Sequence, residues 1–229
     1  MSEKRIPVPL RARAFGGAAP RWMGWATFAV LLAFWEVAVR LGWLSRVYLA
    51  SPAEIVVQLQ NLLTSGELWL HLWASVRRLV SGWGVGTIFG IFAGLAIGLW
   101  QVGRGTLLPL VSALFPVPKI ALLPLFLVWF GIEEGSKLAT ILIGTFFPTV
   151  IATYAAVDDV DRNLIRMGQS FGLSSAAIVR KIILPGAMPG ILAGFRISIS
   201  IAITMLVVAE MMNANYGLGA YVSSAGQLY

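Results

Sequence analysis

The chain has 229 residues, 58% of them hydrophobic and 12% charged, where a soluble domain carries roughly a quarter charged residues. Polar groups cannot cover so apolar a chain in water, which makes lipid its main solvent and an all-α, polytopic helical membrane fold the expectation. The formal charge of +7 is not a nucleic-acid signature, because the basic residues sit scattered at segment ends with no aromatic-basic platform, and a chain with no cysteine has no disulfide, thiol nucleophile or Cys-ligated metal.

A helix needs about 20 apolar residues to cross about 30 Å of hydrocarbon. Residues 1–21 form a basic head, expected as a cytoplasmic tail. The first span is residues 22–39, with Glu36 near its far end and Arg40 after it. It lies behind 21 residues and no small-x-small cleavage site follows, so it reads as an uncleaved span rather than a signal peptide. Residues 45–76 are polar-amphipathic. Ser51-Pro52 opens them as a cap with proline at the first helical position, and Ile55, Leu59, Leu62 and Leu63 share one face, which predicts a short helix lying near the outer membrane surface. Residues 22–78 thus make one segment, first span plus outer helix, and residues 79–229 the core.

Within that core, residues 79–102 carry no charge and form a second span. Gly82, Gly86, Gly90, Gly94 and Gly98 recur every four residues along it, a stripe that lets another backbone approach closely. The third span, 105–132, has Lys119 as its lone charge and four prolines, Pro109, Pro116, Pro118 and Pro124. Proline removes backbone donors and bends the helix, and in a bilayer the freed carbonyls must face protein or a water-filled path. Residues 138–157 form the fourth span and 185–209 the fifth, the latter holding Arg196.

An ammonium at mid-membrane costs roughly 2.5–3.5 kcal/mol on insertion scales, so Lys119 should face a cavity or a partner. It either ends one half-helix or lines a path for an anionic solute. Pro116, Pro118 and Lys119, with Glu210 and Asn213 at the far end of the fifth span, are the candidate translocation residues. No catalytic set is visible. His71 is the one histidine, no His-Glu-x-x-His pair exists, and no phosphate-binding Gly-x-x-x-x-Gly-Lys loop occurs. His71, between Leu70 and Leu72, reads as a surface or packing residue.

Lys and Arg collect on the cytoplasmic side. With the head inside, so are Lys4, Arg5, Arg11, Arg13, Arg21, Arg104, Arg162, Arg166, Arg180 and Lys181. Arg40, Arg46, Arg77, Arg78 and Lys137 fall outside. The balance gives a multi-pass protein with a cytoplasmic N-terminus.

The segment 158–188 is then cytoplasmic. Asp161 can cap a helix running to Gln169, Gly172 suits a left-handed helix end, and Ser174 can cap a second helix over 175–183 that Pro185 stops. Two short helices around a glycine hinge make a protrusion suited to docking another protein.

Here the residues resemble a known family, the binding-protein-dependent (ABC-type) importer permeases. Their cytoplasmic loop carries Glu-Ala-Ala, three residues, Gly, nine residues, Ile, one residue, Leu-Pro. This chain has Gly172, Ile182 and Leu184-Pro185 at that spacing, while Arg166, Met167 and Gly168 replace the opening triplet. The runs Leu122–Leu125, Trp129–Ile132, Gly144–Pro148, and Val208-Ala209-Glu210 through Gly219 resemble the branch serving aliphatic sulfonates, taurine and nitrate. The resemblance implies a type I importer fold in a bacterial inner membrane and a separate ATPase, which binds the ATP and docks on Arg166, Gln169, Ser170, Phe171, Gly172, Leu173 and Ser174. It also implies a second permease copy and an extracytoplasmic solute-binding protein. Such permeases end with one further span that returns to the cytoplasm; this sequence reaches Tyr229 without it, so a sixth span is expected to be missing at the C-terminus, by truncation or because another chain supplies it, with truncation the favoured reading. A secondary transporter or channel without an ATPase is the alternative; it would explain the glycine stripe and the broken span but not the two-helix protrusion.

Overall fold

The computed structural model describes residues 21–45 and 49–227, and every described element is helical. The basic head of residues 1–20 lies outside the described residues. Two compact units meet between Ser65 and Gly66.

The first unit holds α1 (Arg21–Arg40) and α2 (Pro52–Ser65). α1 is long and apolar enough to cross a membrane. Ser51 opens α2 with a reciprocal cap: the Glu54 amide donates to Ser51 Oγ (3.2 Å) and the Ser51 amide to the Glu54 carboxylate (2.9 Å). Pro52 costs nothing there, because its missing N–H would be unpaired in any helix.

The second unit comprises α3 (Glu67–Leu99), α4 (Gln101–Leu114), α5 (Leu123–Phe130), α6 (Glu134–Asp158), α7 (Arg162–Ser170), α8 (Ser175–Ile178), α9 (Leu184–Asn213) and α10 (Leu218–Gln227). α3 starts twelve residues before the charge-free run, so residues 67–78 are its first turns rather than part of the outer segment. Gly66, at φ 81°, makes the left-handed junction after α2.

The glycine stripe sets the packing. A Cβ added at Gly82, Gly90, Gly94 or Gly98 would lie 2.6–2.7 Å from Ile141, Thr149, Thr153 or Val157 on α6, and one at Gly86 would strike Thr145. Each step of four along α3 is matched by a step of four along α6 in the same direction. The two helices are therefore parallel, with backbones closer than any side chain would permit. Thr145 and Thr149 bond back to the Ile141 and Thr145 carbonyls (3.0 and 2.8 Å), which pairs both hydroxyls within the seam.

Parallel helices require the chain between them to return along their length. That return is α4 and α5, joined through Pro116, Pro118 and a 3-10 turn (Lys119–Leu122) and bent by 88° at the break. Residues 101–104, at the boundary between the second and third expected spans, form the first turn of α4, and the change of direction occurs at extended Trp100. Four single helices and this bent pair match the five expected spans. α9 runs antiparallel to α6, with Gly190 against Ala156 at one end and Gly144 against Met205 nearer the other.

The end where α3 and α6 begin is called the upper end below, and the end where they finish the lower end.

Candidate functional site

Three sites follow from this frame. At the lower end stands the protrusion. The Asp161 carboxylate accepts from the Asn163 amide (2.8 Å) and starts α7; Gly172, at φ 71°, turns the chain; and Ser174 Oγ accepts from the Ala177 amide (3.3 Å) and starts α8. The helix does not stop at Pro185. α8 passes through a π turn (Val179–Ile183) straight into α9, with Pro185 in the first turn of α9. Proline in a helix collides with the carbonyl four residues back; the wider π turn gives the ring room there.

The protrusion has two faces. Ile178, Ile183, Ala187 and Ile191 join Ala156, Val157 and Val160 in a buried cluster, with Leu173 and Ile182 packed against it. Gly168 is buried, and a Cβ there would lie 2.8 Å from the Ile182 Cδ1 methyl. Facing away, Leu164 and Met167 are about half exposed and Phe171 is 79% exposed at the tip. Arg166, Gln169, Ser170 and Pro185 are exposed and Leu184 is half-buried.

The second site is the bend of the broken span. Lys119 Nζ donates to the carbonyls of Leu114 (3.0 Å) and Phe115, the last of α4, and lies 4.8 Å from the centre of the Phe147 ring. A cation on the carbonyl end of a helix is favoured by the dipole, and the aromatic faces add cation–π attraction. Lys119 thus ends a half-helix. It also lines a cleft of about 200 Å³ with Val117, Gly144, Pro148, Ile201 and Met205, level with the middle of α6. Pro148 has no N–H to give the Gly144 carbonyl, and both residues line that cleft, where a freed carbonyl can be tolerated.

The third site, at the upper end, is a buried charge network absent from the sequence reading. The Arg78 guanidinium binds Glu134 through two bonds (2.8 and 2.6 Å), Glu210 at 2.8 Å and the Tyr216 carbonyl. The Glu210 side chain has no solvent exposure. It also accepts from Ser75 Oγ (2.8 Å) and the Gly219 amide (2.9 Å), while Ser75 Oγ accepts from the Leu218 amide (2.8 Å). His71 Nδ1 lies 3.1 Å from the Gly217 amide, and its ring is 5.2 Å from that of Tyr221. Gly217 must be glycine, since a Cβ would meet the Glu210 carboxylate. The network ties α3, α6, α9 and α10 together. Glu210 therefore lies among Arg78, Ser75 and Gly219 rather than in the Lys119 cleft, which Pro116 and Pro118 flank in the chain; the Asn213 side chain lies outside the description. The signal was present: His71, Ser75 and Arg78 continue the glycine stripe upward at helical spacing as a polar stripe.

Residues 86–229 match the family model described as the binding-protein-dependent transport system inner membrane component. The taurine transport system permease protein TauC of Escherichia coli is 38% identical over 206 residues, 88% of this chain and 75% of that protein. The aliphatic sulfonates transport permease SsuC of the same organism is 38% identical over 195 residues (85% and 74%). The formylaminopyrimidine transport permease protein ThiX of Halalkalibacterium halodurans is 29% identical over 195 residues (85% and 77%). Among solved structures, a chain of the inward-facing MetNI methionine ABC transporter superposes with a TM-score of 0.61 at 19% identity, covering 71% of this chain and 82% of that one. Helical spans, the family match and this superposition agree: the chain belongs to the inner-membrane permease subunits of binding-protein-dependent ABC importers.

Proposed function

We propose that this permease forms the membrane path for a small sulfonate such as taurine and is driven by a separate ATPase docked on residues 158–188. The protrusion carries this reading. Phe171, Leu164 and Met167 present apolar surface on a rigid two-helix mount anchored by the Ile178–Ile183 cluster, and an exposed apolar tip on a rigid base suits a protein partner. The lower end is then cytoplasmic, as the basic residues Arg104, Arg162, Arg166, Arg180 and Lys181 favour, and the N-terminus lies on the same side. A second copy completes the path and an external binding protein delivers solute to the upper end. Similarity to TauC and SsuC supports the solute class; the cleft beside Lys119 supports a path through the bend.

Gly172→Leu tests the docking. At φ 71° a leucine is strained, so the variant should insert normally yet lose both co-purification of the ATPase in mild detergent and taurine uptake in proteoliposomes. Retention of both by the variant would remove the protrusion as the docking element.

A further inference from the structure

Between the protrusion and the broken span, the foot of α4 carries a contact that the docking reading leaves unused. Arg104, in the first turn of α4, reaches α6: its Nη2 lies 2.6 Å from Asp158 Oδ1, and its guanidinium carbon 5.3 Å from the centre of the Tyr154 ring. Asp158 is the last residue of α6, immediately before the chain turns into α7. We infer that Arg104 is a positioning residue that passes movement of the 158–188 protrusion to the broken span.

The ion pair adds a polar link at the foot of α4 to the apolar packing that holds Val111 of α4 against Phe147 and Val150 of α6. The protrusion is fused to α6 and α9 by the cluster of Val157, Val160, Ile178, Ile183 and Ala187, which among the described residues includes none from α4. α4 is held elsewhere: Gly103 presses on the Ala96 carbonyl of α3, and Val111 packs higher up with Ile97, Phe147 and Val150. Between the foot of α4 and α7 lies an open cleft of about 450 Å³, lined by Arg104, Asp158, Arg162, Arg166 and Gln169. Arg104 and Asp158 both line that cleft, so at the foot of α4 the charged contact is made to the end of α6, the segment that leads into α7.

The chemistry suits a contact that makes and breaks. Both side chains are about two-fifths exposed, so the pair adds little to stability, yet its two partners are held in register while it lasts. Arg104 faces two anchors four residues apart on α6, a charge and an aromatic face, which fixes direction as well as distance. Beyond Arg104, α4 runs to the 88° bend and Lys119. A shift of α7 and the end of α6 would therefore pull on α4 at its foot and alter the bend.

This inference rests on the docking of an ATPase at the protrusion. Its test uses the full chain in complex with that ATPase. Because the sequence has no cysteine, single cysteines at exposed Leu110 on α4 and exposed Ile197 on α9 can carry nitroxides whose separation is read with and without ATP. The expected result is an ATP-driven change in that separation, lost in Arg104→Ala and Asp158→Asn, and restored in the charge-swapped Arg104→Glu/Asp158→Arg double variant. A role of either residue outside the ion pair would not be rescued by the swap, and a merely structural pair would leave the ATP-driven displacement of the single variants unchanged. An unchanged displacement in the single variants, no displacement in the unsubstituted complex, or a swap no better than Arg104→Glu alone would each overturn the inference. Failure of the ATPase to co-purify with the unsubstituted chain overturns the docking reading as well; co-purification with an undiminished displacement in Arg104→Ala overturns this inference alone.

Discussion

Glu210 shows how much one buried carboxylate can organise. Its oxygens take bonds from Arg78, Ser75 and the Gly219 amide with no exposure to solvent, so the desolvation cost of the charge is offset by a cation and neutral donors together. Removing the cation leaves the carboxylate uncompensated, which typically costs about 3–5 kcal/mol for a buried pair. Arg78→Met should therefore destabilise the detergent-solubilised protein by an amount of that order, read as a lowered midpoint in a denaturant titration, whereas Glu210→Gln, which keeps an acceptor for Ser75 and Gly219, should cost less. Equal losses in the two variants would show that the Arg78 charge is not what Glu210 requires. Lys119 is the opposite case, a half-buried cation satisfied by helix-end carbonyls and ring faces rather than by a carboxylate.

At the scale of the element, the α3–α6 seam depends on glycines whose neighbours differ sharply. A Cβ at Gly94 would lie 2.6 Å from Thr153 and 2.7 Å from the Val150 carbonyl, whereas one at Gly84 meets nothing within 4 Å. Gly94→Val should push the helices apart and cost about 1–3 kcal/mol or more, the usual range for overpacking, while Gly84→Ala should be close to neutral. Thermal unfolding of the two purified variants side by side checks this; a Gly84→Ala loss as large as that of Gly94→Val would contradict the parallel seam. The stripe itself was legible in the sequence because spacing of four is a one-dimensional pattern. Its partner was not, since nothing in the spacing says that Gly82 meets Ile141 or that the two helices run the same way. The continuous π turn into α9 was likewise hidden: proline usually marks a helix end, and here a local widening accommodates it.

For the whole molecule, orientation is the property on which the proposed mechanism turns. With the lower end cytoplasmic, a cysteine placed at Phe171 should react with an impermeant maleimide in inside-out vesicles and not in intact cells, and one at Ser224 should show the reverse. The opposite pattern would put the protrusion out of reach of any cytoplasmic ATPase.

The lipid environment, the five crossings, the break near Pro116–Pro118 and the caps at Asp161, Gly172 and Ser174 were determined by the sequence alone, because hydrophobic length, charge placement and capping residues act within a few turns of chain. The tertiary structure decided where the charges go. Glu210 meets Arg78 and Ser75 across more than 130 residues, and Arg104 meets Asp158 across 54. Such pairings depend on which helices lie side by side and in which direction, and that is settled only when close-packed glycines, a bent return span and a buried ion pair are satisfied together.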